Sequence, residues 1–394
     1  MTIASERGID LFRFDELLTP RERALRDKVR AFCNEHVVPI INDYWERAEF
    51  PFELIPRIAE LGIVGGTIKG YGCPGFSSVE VGIIAAELAR GDGSVGTFVG
   101  VTSGLAMGAI AACGSEEQKQ RWLPAMARLE KIGAFALTEP YVGSDAAHIR
   151  TTARRVSGGY LLNGAKRWIG NATFADVIVV WAQDEETGRV GGFLVEKGTP
   201  GYRATKIEGK IAKRSVINAD ITLENVFVPE ENRLPFARSF RDTANILKNT
   251  RYGVAWEAVG HAQAAYELAL EYTLQREQFG RPIAGFQLVQ QKLVHMLGDL
   301  TAIQLMAWRL SKLRDEDETQ VTEGMASLAK QYCAAKARQI VALGREVLGG
   351  NGILLDRHIA RHFADIEAVY TYEGTNEINT LVVGREITGI AAFV

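Results

Sequence analysis

Residues 159–183 read GYLLNGAKRWIGNATFADVIVVWAQ. Apolar and polar residues alternate in short runs, with Gly and Asn between the runs, which is the period of strands joined by turns. The pattern continues through GGFLVEKGTPGYRATKI (191–207) and ADITLENVFVPEEN (219–232). On both sides the apolar spacing is helical instead. TPRERALRDKVRAFCNEHVVPI (19–40) opens with a Thr cap and a Pro in the first turn, and FPFELIPRIAELGIVG (50–65) and FSSVEVGIIAAELARGD (76–92) follow in the same style. The helical pattern weakens after QRWLPAMARLEKIG (120–133). It returns in three long stretches, 242–280, 286–316 and 324–350, that contain few breakers. The order is helices, strands, helices. It predicts an α+β multidomain chain: a helical domain over 1–133, a middle antiparallel β-barrel or sandwich over 134–238, and a C-terminal helical bundle over 239–394. Some of the C-terminal apolar stripes are broad enough to imply a buried subunit contact as well as an internal core.

The totals exclude several classes. The 394 residues are 47% hydrophobic and 24% charged, with 45 basic and 48 acidic residues giving a net charge of −3. These are the values of a soluble globular protein, and they give no reason to expect nucleic acid as a partner. Cys33, Cys73, Cys113 and Cys333 are far apart and read as free thiols in a reducing compartment. The six histidines show no metal-ligand spacing, so no metal is expected. MTIASERGIDLFRFDE (1–16) lacks the apolar core of a signal peptide, and AAFV (391–394) is not a peroxisomal address, so a cytoplasmic location is expected.

Residues 93–115 are uncharged over 23 positions, but eleven of them are Gly, Ser or Thr, which is poor composition for a membrane span. No membrane association is expected. Within this stretch Gly96, Gly100, Gly104 and Gly108 recur every fourth residue and would form a smooth strip on a helix. Each costs about 1 kcal/mol against Ala, so either tight helix packing or the wall of a pocket for a planar ring or acyl chain must compensate. Gly70, Gly72 and Gly75 match GxGxxG, but their flanks look helical and no βαβ unit follows, so they read as a glycine turn.

Five stretches carry chemistry. FALTEPYVGSD (135–145) sets Thr138 and Ser144 around a Gly-containing turn, and RWIGN (167–171) sets a Trp beside a glycine in a strand. REQFGRP (276–282), with Gln287 beyond it, ends one long helix with a cation. EVLGGNG (346–352) ends another with paired glycines, through which a diphosphate can approach backbone N–H groups. VYTYEGTNEI (369–378) places Glu373 between Tyr372 and Gly374, where a desolvated carboxyl could accept a proton.

Taken in order, LTEPYVGSD, QREQFGRPIAGFQ, LGGNGI and YTYEGTNEI resemble the acyl-CoA dehydrogenase family over nearly the whole chain. The resemblance implies an N-terminal helical domain, a middle β-domain and a C-terminal four-helix bundle. It also implies one FAD per subunit of a homotetramer built as a dimer of dimers. It places Phe135, Leu137, Thr138, Gly143 and Ser144 at the cofactor, with Trp168, Ile169 and Gly170 along the other edge of the flavin ring. Arg276, Phe279 and Gln287 would reach the FAD of a neighbouring subunit, as would Glu346, Val347, Leu348, Gly349 and Gly350. Thr375 and Glu377 would hold the cofactor near Glu373, while Ser144, Gly96, Asn249, Arg251, Tyr372 and Gly374 would line the acyl-CoA. Glu373 would remove the pro-R α-proton of the thioester while the β-hydrogen leaves as hydride to flavin N5, giving a trans-2-enoyl-CoA. An electron-transferring flavoprotein would be the acceptor.

Two departures bear on substrate and acceptor. The tail LVVGREITGIAAF most resembles the glutaryl-CoA dehydrogenase branch, whose first domain carries an Arg for the distal carboxylate. Gly96 stands at that position, and a second carboxylate left unpaired in a buried site is costly, so a short unsubstituted acyl chain is expected. Gly170 replaces a Thr common in the dehydrogenases, and RWIGNATFAD resembles short-chain acyl-CoA oxidases of plant peroxisomes. The missing side chain either opens a path for oxygen or removes one hydrogen bond. Oxidase, glutaryl-CoA dehydrogenase and a non-catalytic helical interaction protein therefore stand as alternatives.

Overall fold

The computed structural model describes residues 10–392. Most of the N-terminal stretch read for a targeting signal, and the last two residues of AAFV, lie outside the described residues.

The N-terminal helices begin where the side chains can satisfy free amides. α1 (Pro20–Phe32) starts at a capping box in which Thr19 accepts from the Glu22 amide and Glu22 accepts from the Thr19 amide. A π-helical turn (Cys33–Val37) joins it to α2 (Val38–Arg47), and α3 (Leu54–Leu61) follows. α4 (Ser78–Gly91) repeats the box with Ser77 and Glu80. Between α3 and α4, Gly70, Gly72 and Gly75 all hold positive φ in a loop, as a glycine turn requires. α5 (Gly93–Cys113) is capped by Asp92, which accepts from the amides of Ser94 and Val95, and it changes to π-helical winding over Val101–Met107. α5 is long and apolar enough to cross a bilayer, but its Val95, Phe98, Ala106, Met107 and Ile110 are buried in the protein's own core. α6 (Glu116–Ala127) completes this part.

The middle part is a seven-stranded sheet of β1 (Gly133–Ala136), β2 (Thr152–Val156), β3 (Gly159–Gly170), β4 (Val177–Asp184), β5 (Val190–Glu196), β6 (Tyr202–Lys206) and β7 (Asn218–Pro229). Most pairings are antiparallel, the longest being β3 with β7. Two are parallel: β1 lies along residues 177–180 of β4, and β2 meets Gln183 and Asp184 at its end. The expected antiparallel sheet therefore carries a parallel seam. β4 is buried along most of its length, which accounts for the continuous apolar run VIVVWA.

α7 (Phe240–Gln275), α8 (Gln287–Glu316), α9 (Glu323–Val347), α10 (Ile359–Thr371) and α11 (Asn376–Thr388) build the C-terminal bundle, with a hairpin of β8 (Glu277–Gln278) and β9 (Arg281–Pro282) after α7. Among the described residues, apolar burial falls into two clusters rather than three. One runs through the N-terminal helices and the sheet; the other joins α7, α8, α9 and α10 to Val79, Ile83 and Ala86 of α4. α4 therefore belongs to both. Gly82 lets it sit against Trp256, and Gly260 lets α7 approach the Ala86 carbonyl, where a Cβ would collide.

A buried ion pair positions the loop after β1. Lys166 is fully buried; its Nζ donates to Glu139 Oε1 at 2.9 Å and to the Leu137 carbonyl at 3.0 Å. Glu139 also accepts from the amides of Arg150 and Thr151 at 2.7 and 2.8 Å, which folds 137–151 back on itself. Burial lowers the Lys166 pKa to about 8 against the pull of Glu139.

Two stability tests follow from this packing. Gly260→Ala gains helix propensity but drives a methyl into backbone, so a net loss of about 1–3 kcal/mol is expected as a lower midpoint in denaturant unfolding. Lys166→Met strands the Glu139 carboxylate and is expected to cost about 3–5 kcal/mol by the same measurement.

Candidate active site

Residues 372–375 form the link between α10 and α11. Glu373 has φ +56° and Gly374 φ +88°, two consecutive left-handed residues. Only glycine suits the second position, since a Cβ there would also lie 2.9 Å from Asn379 Nδ2. The first is strained for a glutamate, and such strain persists only where its surroundings enforce it. Here they do. Lys330 of α9, fully buried, donates to the carbonyls of Tyr370 and Gly374 at 3.0 and 2.8 Å. Asn379 Nδ2 donates to the carbonyls of Gly374 and Thr375 at 2.8 and 3.0 Å, and the Thr375 hydroxyl caps α11 at the Ile378 amide.

So held, the Glu373 carboxyl meets α7, where Thr250 Oγ1 donates to its Oε2 at 3.0 Å. Burial raises its pKa above the ordinary 4.5, opposed by the Thr250 hydrogen bond and the charges of Arg251 and Lys330, and reinforced by Glu257. Lys330 itself is pushed down to about 8 by burial, with Glu373 the largest influence in the other direction.

Part of the glycine strip of α5 lies beside Thr250. A Cβ at Gly100 or Gly108 would meet nothing within 4 Å, one at Gly104 would touch only the Thr250 methyl at 3.5 Å, and one at Gly96 would touch α4 at 3.6 Å. Close helix packing thus explains Gly96 and leaves Gly100 and Gly104, both exposed, fronting open space between α5 and α7. The indole of Trp168, 51% exposed at φ +66°, stands at the end of β3, with the Arg167 guanidinium 5.2 Å from its centre. Gly170 beside it is buried, and a Cβ there would lie 3.3 Å from Val101 of α5. A glycine wall, an exposed indole and a partly buried acid fit a flat aromatic ring and a thioester.

The remaining expected residues divide by position. Thr138 is half-buried beside Arg167, whose amide donates to its carbonyl at 2.8 Å; Gly143 and Ser144 are exposed on the following turn. The side chains of Phe135, Leu137 and Ile169 are largely buried in the first core and those of Val347 and Leu348 in the second. Arg251, expected along the substrate, is buried and turned toward α9, donating to Glu323 at 3.0 Å and Ser327 at 3.4 Å; it acts on the site through its charge. Asn249 is exposed beside Arg314. Thr375 and Glu377 sit at the start of α11, next to Glu373.

Arg276, Phe279 and Gln287 are exposed, Phe279 at 94%, and so are Glu346, Gly349 and Gly350. All six lie at one end of the bundle, where Asn351 donates to the Tyr272 hydroxyl at 2.9 Å. At the usual helix rise this end is roughly 40 Å along α7 from Thr250, so it is separate from Glu373 of the same chain. A Cβ at Gly349 or Gly350 would meet nothing within 4 Å, which leaves backbone open to a phosphate. Thr250, Lys330 and Asn379 were missed from sequence. Lys330 left one signal, a lone charge at a buried position of the helical period in ASLAKQYCAA.

Comparison with known proteins matches this architecture part by part. The family model for the acyl-CoA dehydrogenase N-terminal domain fits residues 19–130, that for the middle domain 134–226, and that for the C-terminal domain 240–388. An acyl-CoA dehydrogenase of Bacillus subtilis (strain 168) is 33% identical over 377 residues, 94% of this chain and 99% of that protein. A glutaryl-CoA dehydrogenase from Mycobacterium smegmatis superposes with a TM-score of 0.95 at 40% identity over 98% of this chain and 100% of its own. A second structure of a glutaryl-CoA dehydrogenase from Mycobacterium smegmatis, in complex with FADH2, superposes with a TM-score of 0.95 at 38% identity over 98% of this chain and 99% of its own. The chain belongs to the acyl-CoA dehydrogenase family, as an FAD-dependent oxidoreductase of acyl-CoA substrates.

Proposed function

We propose that Glu373 is the base that removes the α-proton of a short, unsubstituted acyl-CoA thioester. The observation that carries this reading is a carboxyl held in a strained left-handed turn by Lys330 and Asn379, partly buried, and aimed at a cleft walled by glycine. Bound FAD supplies the two-electron acceptor for the β-hydrogen. The chain's own task is to orient thioester and base and to keep water out. Thr250 aligns the carboxyl and favours its ionised form. Gly100 and Gly104 let the acyl chain pass close to α5. The amide of Glu373 is the donor we assign to the thioester oxygen, where negative charge develops.

The flavin contacts we assign are Trp168 and the 135–144 turn within the subunit, with Thr375 and Glu377 beside the base. The exposed bundle end of a neighbouring subunit (Arg276, Phe279, Gln287, Gly349 and Gly350) completes the site in a homotetramer. Gly170 favours a dehydrogenase over an oxidase: Val101 closes on the position a side chain would fill, so no open path replaces it. An electron-transferring flavoprotein is the acceptor we infer, and the cytoplasm the location. Gly96 supplies no cation for a second carboxylate.

Glu373→Gln is expected to leave a folded, FAD-loaded protein whose kcat on butyryl-CoA falls by about 10²–10⁴; near-normal turnover would dismiss the assignment. The base must be ionised, and its pKa is raised, so the rate should climb with pH along an acid limb whose midpoint lies above 4.5. Thr250→Val removes a hydrogen bond that favours the carboxylate and should move that limb to higher pH. Hydrogen peroxide formed stoichiometrically in air, with no added acceptor, would reverse the choice of dehydrogenase.

A further inference from the structure

Thr250, Glu257 and His261 share one face of α7. Thr250 meets the base. Two turns on, roughly 10 Å along the axis, the Glu257 carboxylate accepts from the Tyr372 hydroxyl at 2.6 Å and pairs with Lys213 Nζ at 2.5 Å. One turn further, His261 Nε2 lies 3.3 Å from Lys213 Nζ, and its Nδ1 lies 2.9 Å from His362 Nδ1. On the opposite wall, the space for a Cβ at Gly93 of α5 is filled by Lys213 Nζ and His261 Nε2. The cleft that is open at Gly100 and Gly104 therefore ends on this cluster toward Gly93.

Three parts of the chain build that end. Lys213 comes from the loop between β6 and β7, Glu257 from α7, and Tyr372 from the turn that carries Glu373. The Lys213 amide is tied to Asp365 Oδ1 of α10 at 2.6 Å, so the loop is fixed to the helix that leads into that turn. The Lys213 side chain is only 4% exposed and that of Glu257 is 12% exposed. Little of the Lys213 ammonium is thus left to a ligand, and the Tyr372 hydroxyl already donates to the Glu257 carboxylate.

We propose that the Lys213–Glu257 pair, with Tyr372, closes the acyl end of the cleft and bars acyl-CoAs whose chain ends in a carboxylate. This rests on the reading of Glu373 as the base, which sets where the acyl chain must lie. A cation is present at the end of the cleft, but Glu257 holds it. An incoming carboxylate would lie beside Glu257, whose pairing leaves the Lys213 ammonium no free charge to offer it, and Gly96 adds no cation from α5. A methyl terminus meets a cluster whose polar groups are already satisfied by one another.

The test uses FAD-loaded Glu373→Gln protein, in which acyl-CoAs bind without reacting, with flavin absorbance as the readout. Butyryl-CoA is expected to bind about 100-fold tighter than glutaryl-CoA. Adding Glu257→Gln frees Lys213, and the ratio of the two dissociation constants should fall by about tenfold or more. Adding Lys213→Gln to that protein should return the ratio to its starting side. Equal binding of the two ligands to the Glu373→Gln protein would overturn the proposal, as would a ratio that Glu257→Gln does not move. Should Glu257→Gln fail to fold, Lys213→Gln with Glu257 intact is read instead: a ratio that rises supports the proposal, and one that stays or falls overturns it. Failure of the base assignment has a different signature, bleaching of the flavin by butyryl-CoA despite Glu373→Gln.

Discussion

The site depends on one buried ammonium. Lys330 reaches from α9 to the carbonyls of residues 370 and 374, and between those two points the backbone turns left-handed at Glu373. A glutamate in that conformation is strained by about 1–3 kcal/mol. Two hydrogen bonds from a charged donor, at about 1.5–3 kcal/mol each, are enough to hold it. The same ammonium favours the ionised form of the carboxyl whose backbone it bends, while burial favours the neutral form. Lys330 thus sets the geometry at Glu373 and contributes to its acidity, after burial, Thr250 and Arg251. The strain is local, but the residue that enforces it comes from a different helix, so the turn exists only in the folded bundle.

The two hydrophobic cores explain how that bundle is brought to the glycine wall. α4 contributes to both, and α5 follows it directly, so the wall is fixed relative to α7 by packing rather than by a flexible linker. Gly82 and Gly260 allow the close approach, and the buried Arg361–Asp92 pair, at 2.7 Å, ties α10 to the cap of α5. Polar groups buried this deeply are costly unless paired, and the pairs here join segments far apart in sequence. Lys166–Glu139 fixes the turn after β1, Lys213–Glu257 joins the sheet to the bundle, and Arg361–Asp92 joins the bundle to α5. Each of these contacts borders the cleft or an element that forms it. The buried charges therefore define a unique arrangement around the site, while the apolar residues supply most of the driving force.

Similarity to glutaryl-CoA dehydrogenases and the chemistry of the cleft point in different directions on substrate. A fold shared with a TM-score of 0.95 fixes the architecture around the cleft. It does not fix what meets the far end of the acyl chain, because a few side chains decide that. We propose the Lys213–Glu257 pair for that role.

The order of helices, strands and helices was legible because periodicity is local: a run that alternates or repeats every three to four residues needs only its own core face to declare itself. The Thr19 cap was readable for the same reason. Glu373, Gly374 and the paired glycines at 349 and 350 could be found from sequence because their neighbours along the chain form a recognisable pattern. Other features had no local trace. The parallel seam of β4 joins strands that are not adjacent in sequence, and the hydrogen bonds of Arg251 go to Glu323 and Ser327, so it acts on the site through its charge. Thr250 and Glu257 look like any polar residues on a long helix until α10 and the 213 loop are placed against them. The sequence by itself determined the elements and singled out Glu373 as the candidate base; the tertiary structure alone decided the conformation of that residue, its proton affinity and its partners, since those arise from burial and from charges that meet only when the chain is folded.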